Sequence, residues 1–153
     1  MDKKVVDINC FSIYFVKNHP GHDYVKPIID AGLRGEFRLV IPEILPFRAF
    51  WILTTKWGIP KEDAKKVIVE FLLNYSNPVY VGLAREGSIK AFQYSNDFNH
   101  DVYDCYYLSI AIQEGGVSII TTDVGFKKLC EKAKLNYENP VPLDILRQFS
   151  AYK

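Results

Sequence analysis

The chain predicts an α/β fold in which helices cover both faces of a parallel sheet, and three observations predict it. Short apolar runs (Lys4 to Val6, Phe37 to Ile41, Val79 to Val81, Val117 to Thr121) alternate with segments whose apolar residues recur at helical spacing. The connections between them are short. Acids also fall at the carboxyl ends of three runs, Asp7, Glu43 and Asp123, which is where sheets of this class bind ligands.

Each element has its own warrant. After the first strand, Asn9 to Lys17 has helical spacing and stops at Asn18-His19-Pro20-Gly21. A helix over Tyr24 to Leu33 ends between Gly32 and Gly35, and Pro42, just past the second strand, suits the first turn of a third helix. Gly58-Ile59-Pro60 breaks that helix. Ala64, Val67, Ile68, Phe71, Leu72 and Tyr75 then stripe another, with Glu62 and Asp63 favouring its first turn. A helix over Ala84 to Tyr94 runs into a polar turn, Ser95 to His100, and a further helix spans Val102 to Glu114 until Gly115-Gly116. The stripe Phe126, Leu129, Cys130, Ala133 marks one more helix before a tail with Pro140 and Pro142.

The bulk properties narrow the class. With 153 residues, 48% of them hydrophobic, one domain over 1–153 with a substantial core is expected. No run approaches the ~20 apolar residues of a membrane span, and Met1-Asp2-Lys3-Lys4 is unlike a signal peptide, so a cytoplasmic protein with no membrane association is expected. Cys10, Cys105 and Cys130 lack metal-type spacing and are expected in the core. A net charge of +1 excludes the broad positive field of non-specific duplex binders, so any nucleic-acid contact must be local.

Asp7, Asp104 and Asp123 are the informative residues. Asp7 and Asp123 end apolar runs, and Asp104 lies in a helix that is apolar almost all round. Taking an ionised carboxylate out of water costs several kcal/mol unless it is paired, hydrogen-bonded or bound to a metal. No lysine or arginine follows Asp7 or Asp104 within a helical turn. Acids gathered from separate strand ends suit a hard cation such as Mg²⁺, which prefers oxygen ligands and often shares them with substrate phosphates. The reaction class this implies is phosphodiester hydrolysis.

Helix capping offers a simpler role for Asp7 and Asp123, and Asp101 reads as the cap of the Asp104 helix. His19 and His22 read as a solvated loop, and His100, beside the acidic helix, reads as a surface histidine ahead of a contact with substrate. Lys127, Lys128, Lys132 and Lys134 read equally as a solvated helix face or as a contact for nucleic-acid phosphates, Arg48 and Arg85 are further phosphate candidates, and exposed tyrosines are candidates for base stacking. Trp51 and Trp57 are candidates for an apolar contact with a second subunit or a partner's helix.

Four pieces in order, Val5-Val6-Asp7-Ile8-Asn9, Ile41-Pro42-Glu43-Ile44-Leu45, Tyr103-Asp104-Cys105-Tyr106-Tyr107-Leu108 and Ile120-Thr121-Thr122-Asp123-Val124-Gly125-Phe126, resemble the successive motifs of PIN domains. The resemblance runs from about Val5 to about Leu135. It implies a three-layer α/β/α sandwich, Mg²⁺- or Mn²⁺-dependent ribonuclease activity on RNA, and the toxin role of the VapC type, a homodimer silenced by a cognate antitoxin. Asp7, Asp104 and Asp123 match the family's metal-binding aspartates, with Asn9 supporting the first. The family's second acid is often a glutamate at the position held here by Arg48, whereas Glu43 directly follows Pro42.

Two arrangements stay open. Either Glu43 joins the metal site as a fourth acid by another path, or Arg48 takes the acid's place and pairs with an aspartate, leaving a catalytically weakened domain that binds RNA or a protein partner. A dehalogenase-like site would need a second aspartate where this chain has Asn9, and a receiver would need an acid pair where it has Val6-Asp7.

Overall fold

The computed structural model describes residues 1–152. Five strands, β1 (Lys3–Val6), β2 (Arg38–Pro42), β3 (Val79–Val81), β4 (Ser118–Ile120) and β5 (Asn136–Glu138), form one sheet in the order β3-β2-β1-β4-β5. Every neighbouring pair is parallel; Val5 faces Val40 on one side and Ile119 on the other. Val5, Val6, Val40, Ile41, Ile119 and Ile120 are all fully buried. Consecutive residues buried in this way mean that helices cover both faces, which is why these strands read as continuous apolar runs.

The helices are α1 (Ile8–Tyr14), α2 (His22–Leu33), α3 (Leu45–Trp51), α4 (Lys61–Asn74), α5 (Arg85–Phe98), α6 (Val102–Glu114), α7 (Phe126–Ala133) and α8 (Leu143–Leu146). A wider π-type turn, Ile52–Lys56, prolongs α3, and Thr54 Oγ1 donates to Phe50 O at 2.8 Å inside it. From β1 the chain steps outward to β2 and β3, then returns to the other side of β1 for β4 and β5. That reversal between β1 and β4 opens a crevice at the carboxyl ends of the two central strands.

Several elements depart from the expected ones. Pro42 ends β2 rather than starting a helix: Glu43 N–H donates to Val81 O at 3.0 Å, carrying the ladder one residue further. Pro46 takes the place in the first turn of α3. The polar turn expected from Ser95 is helical as far as Phe98, where Tyr94 and Phe98, one helical turn apart, stack with ring centroids 5.7 Å apart. Asn99, with φ of 48°, then ends α5 in the left-handed conformation that asparagine tolerates. The tail supplies β5, an edge strand whose Asn136-Tyr137-Glu138 carries no apolar run. Cys10, Cys105 and Cys130 are free and buried, as expected.

The loop before α2 corrects another expectation. His19 and His22 are buried, not solvated. His19 Nδ1 accepts from Gly21 N–H at 3.0 Å, and its ring is enclosed by Trp57, Phe149 and Tyr152 at 4.6 to 5.0 Å between centroids. Trp57 thus packs into this cluster while remaining partly exposed. Burial, then the charge of His22, pushes the His19 imidazole down from 6.5 to about 4. Because the folded value lies below the unfolded one, this ring's stabilisation is fully present above pH 6.5 and is lost as pH falls towards 4. The loss should reach ~3 kcal/mol, at about 1.4 kcal/mol per pKa unit. Urea unfolding across this range should show a slope that His19→Phe flattens; equal slopes would refute the assignment.

Candidate metal site

Asp7 continues β1, its N–H donating to Ile120 O at 3.0 Å, and it also caps α1. Its carboxylate accepts from Cys10 N–H at 2.9 Å and from the hydroxyl of Thr121. Sealed between β1 and β4 with 1% exposure, it is pushed up to about 7. Burial is the largest cause, the two hydrogen bonds oppose it, and the charges of Asp104 and Asp123 add to it. Capping and burial therefore coexist at this residue.

Asp104 reaches the crevice from the first turn of α6, which Asp101 caps by accepting from the N–H groups of Tyr103 and Asp104. Burial, then the charge of Asp123, pushes the Asp104 carboxyl up to about 6. Asp123 lies beyond β4 in a turn, its N–H donating to Thr121 Oγ1 at 3.0 Å and its Oδ1 accepting from Gly125 N–H at 2.9 Å. Thr121 thus ties Asp7 to Asp123. Among the described residues, none of the three carboxylates pairs with a lysine or arginine.

The third member of the tightest cluster is His100. Its Nε2 lies 2.9 Å from Asp104 Oδ2, and one ligand-type atom each of His100, Asp104 and Asp123 falls within 4.8 Å of the others. One nitrogen and two carboxylates at that spacing fit a divalent cation. By sequence, His100 reads as a surface residue or a substrate contact beside the acidic helix, and not as one of the ligands. The available signal was its place four residues before Asp104, and Thr121, two residues before Asp123, gave none beyond chain proximity.

Glu43 is not in that cluster. It is exposed, and its carboxylate rests against Gly82, where any Cβ would collide with it. Arg48 pairs with no aspartate either: its guanidinium donates to the Tyr107 hydroxyl and lies 3.9 Å from the centroid of the Tyr103 ring. The position thus holds a cation stacked on α6 beside the acids. Tyr107→Phe would leave that guanidinium without its acceptor and should cost about 1–2 kcal/mol in thermal unfolding. A change near zero would mean that the Tyr103 stack suffices.

The model of the PIN domain family matches residues 4–132. The chain belongs to the PIN domain family. Among solved structures, this PIN domain is similar to Mycobacterium tuberculosis VapC20, a Sarcin-Ricin loop cleaving toxin, with a TM-score of 0.68. The two share 10% identity, and the match covers 82% of this chain and 94% of VapC20. At that identity the likeness is one of fold. No curated protein matches the sequence. Within the PIN domain no described helix is long and apolar enough to cross a membrane.

Proposed function

We propose that this PIN domain is a divalent-metal-dependent endoribonuclease that hydrolyses RNA phosphodiester bonds, and that it is the toxin of a type II toxin–antitoxin pair. One observation carries the reading: Asp104 of α6 and Asp123 beyond β4 meet at the sheet's reversal, Asp7 of β1 is buried close enough for its carboxyl to respond to both, and among the described residues no lysine or arginine pairs with any of them. Carboxylates gathered without a paired lysine or arginine in this way favour a cation. Mg²⁺ or Mn²⁺ bound there would supply Lewis-acid activation of water and neutralise charge on the phosphate.

Asp104 and Asp123 would hold the ion, and Asp7 would hold the inner side of the site, oriented by Thr121 and Cys10 N–H. Lys127 and Lys128, exposed on α7 just beyond Asp123, would position the RNA backbone. Tyr103, 45% exposed above Arg48, would stack on an unpaired base. Lys132 is less available, because its Nζ sits 4.3 Å from the centre of the Phe98 ring.

The reading extends to a homodimer in the cytoplasm, held inactive by a cognate antitoxin. Its support is an apolar groove of about 380 Å³ beside α3 and α4, lined by Pro46, Phe47, Phe50 and Leu72. Phe47 is 81% exposed and Trp51 55%. Light scattering on the purified chain tests the dimer, and relief of growth arrest by a neighbouring small reading frame tests the antitoxin.

Arg48 on Tyr107, with Glu43 turned to Gly82, favours a second reading: a weakened domain that binds RNA or a protein partner. A mixed RNA pool incubated with Mg²⁺, with Mn²⁺ and with a chelator separates the two. Cleavage with either ion, abolished by chelation, is the expected result. Cleavage that survives chelation would sink the metal reading, and binding without cleavage would favour the weakened domain.

A further inference from the structure

The atoms free to hold an ion in the crevice are not all oxygens. Both Asp7 oxygens already accept, one from Cys10 N–H and the other from the Thr121 hydroxyl. The exposed acid of the neighbouring strand, Glu43, is turned to Gly82. Asp104 and Asp123 therefore meet a third donor of a different kind, the imidazole of His100.

His100 is held there from several sides. Its backbone is tied twice to Ser95, its N–H donating to Ser95 O at 3.1 Å and its carbonyl accepting from Ser95 Oγ at 2.6 Å. Asn99, in the left-handed conformation, ends α5 just before it, and Asp101 caps α6 just after it. The ring stands edge-on to Phe126, 6.3 Å between centroids, and its Cε1 borders Gly125 in the turn that carries Asp123. A surface histidine has no need of such anchoring, which aims Nε2 at the two carboxylates.

We propose that His100 is the third protein donor of this site, and that the mixed nitrogen–oxygen set makes it prefer Mn²⁺ to Mg²⁺. The inference rests on the metal-site reading above and adds a ligand and an ion preference to it. Mg²⁺ takes oxygen donors almost exclusively. Mn²⁺ also favours carboxylates but, as a first-row transition ion, accepts one imidazole nitrogen among them more readily than Mg²⁺ does. His100 would exchange its contact with Asp104 for the ion, leaving both Asp104 oxygens to the carboxylate's own binding.

The test uses the whole chain with Mn²⁺ alone, followed by competition with Mg²⁺. Electron spin-echo modulation of bound Mn²⁺ should show imidazole nitrogen coupling that is absent in His100→Gln, a variant that keeps a hydrogen-bond donor for Asp104. Calorimetry should show Mn²⁺ affinity falling at least about tenfold in that variant, with a smaller fall for Mg²⁺. Mn²⁺ bound with no nitrogen coupling, or with coupling unchanged in His100→Gln, overturns the assignment. An affinity loss without coupling also overturns it, since His100 would then only position Asp104. An Asp104→Asn arm separates the two levels: Mn²⁺ binding that ignores this change, or no binding to the wild type, removes the metal site itself and His100 with it.

Discussion

Asp104→Asn is expected to lower RNA cleavage at least ~10²- to 10³-fold, the scale set by removing a charge-stabilising group from an active site. The variant is informative because the helix end does not rest on this carboxylate. Asp101, not Asp104, caps α6, and the amide keeps an oxygen for His100. Burial and the charge of Asp123 already disfavour the Asp104 anion, so neutralising it should leave the melting temperature unchanged or higher. Gel-resolved cleavage rates beside a thermal melt make the measurement. Full activity in a folded variant would refute the proposed site, whereas loss of both activity and fold would contradict the structural assignment of Asp104.

Asp7→Asn should stabilise the metal-free protein increasingly as pH rises. The folded carboxyl sits at about 7 against 3.8 for the ordinary group. A group raised on folding contributes stability that is fully present below the unfolded value and is lost as pH rises through the folded one. The difference between variant and wild type should therefore grow between pH 4 and pH 8 by up to ~4 kcal/mol, at about 1.4 kcal/mol per pKa unit. Asparagine retains the cap on Cys10 N–H but turns an amide donor to the Thr121 hydroxyl, a difference that does not vary with pH, so it is the pH dependence of the comparison that isolates the charge. Urea unfolding in the presence of a chelator measures it. Parallel pH profiles for the two proteins would refute the burial argument. Mn²⁺ should raise the stability of the wild type more than that of the variant, because a ligand stabilises only the state that binds it.

The two ends of the pH range thus belong to different residues. His19, lowered on folding, weakens the protein as pH falls from 6.5 towards 4, and Asp7, raised on folding, weakens the metal-free protein as pH rises towards 7. Their opposition means that only variant-minus-wild-type differences resolve either one. The physical contrast is one of sign: burial disfavours the charged form of each group, which is the cation of His19 and the anion of Asp7.

Much of this molecule is legible from its residues in order. The runs ending at Val6, Ile41 and Ile120 are buried on both faces, so their apolar character betrays them, and the i, i+3, i+4 stripe of Ala64, Ile68 and Phe71 does the same for α4. β5 was not legible: an edge strand with one neighbour carries no continuous apolar run, and its pairing with β4 is long-range. Pro42 misled for a related reason, since the ladder runs on past it through Glu43 N–H to Val81 O, a pairing made by a strand distant in sequence. His19 looked solvated because its enclosure comes from Trp57 and the tail residues Phe149 and Tyr152, far away in the chain.

At the site, the sequence by itself determined the three aspartates, since acids at the ends of apolar runs and inside an apolar helix are costly wherever the chain goes. Local chemistry carries that cost, so it can be read locally. Only the tertiary structure decided their company: Thr121 on Asp7, His100 beside Asp104 and Asp123, Arg48 on Tyr107, and Glu43 against Gly82. Those contacts depend on strand order and on where each helix ends, and a side chain's direction is settled by packing between elements rather than by its neighbours in sequence.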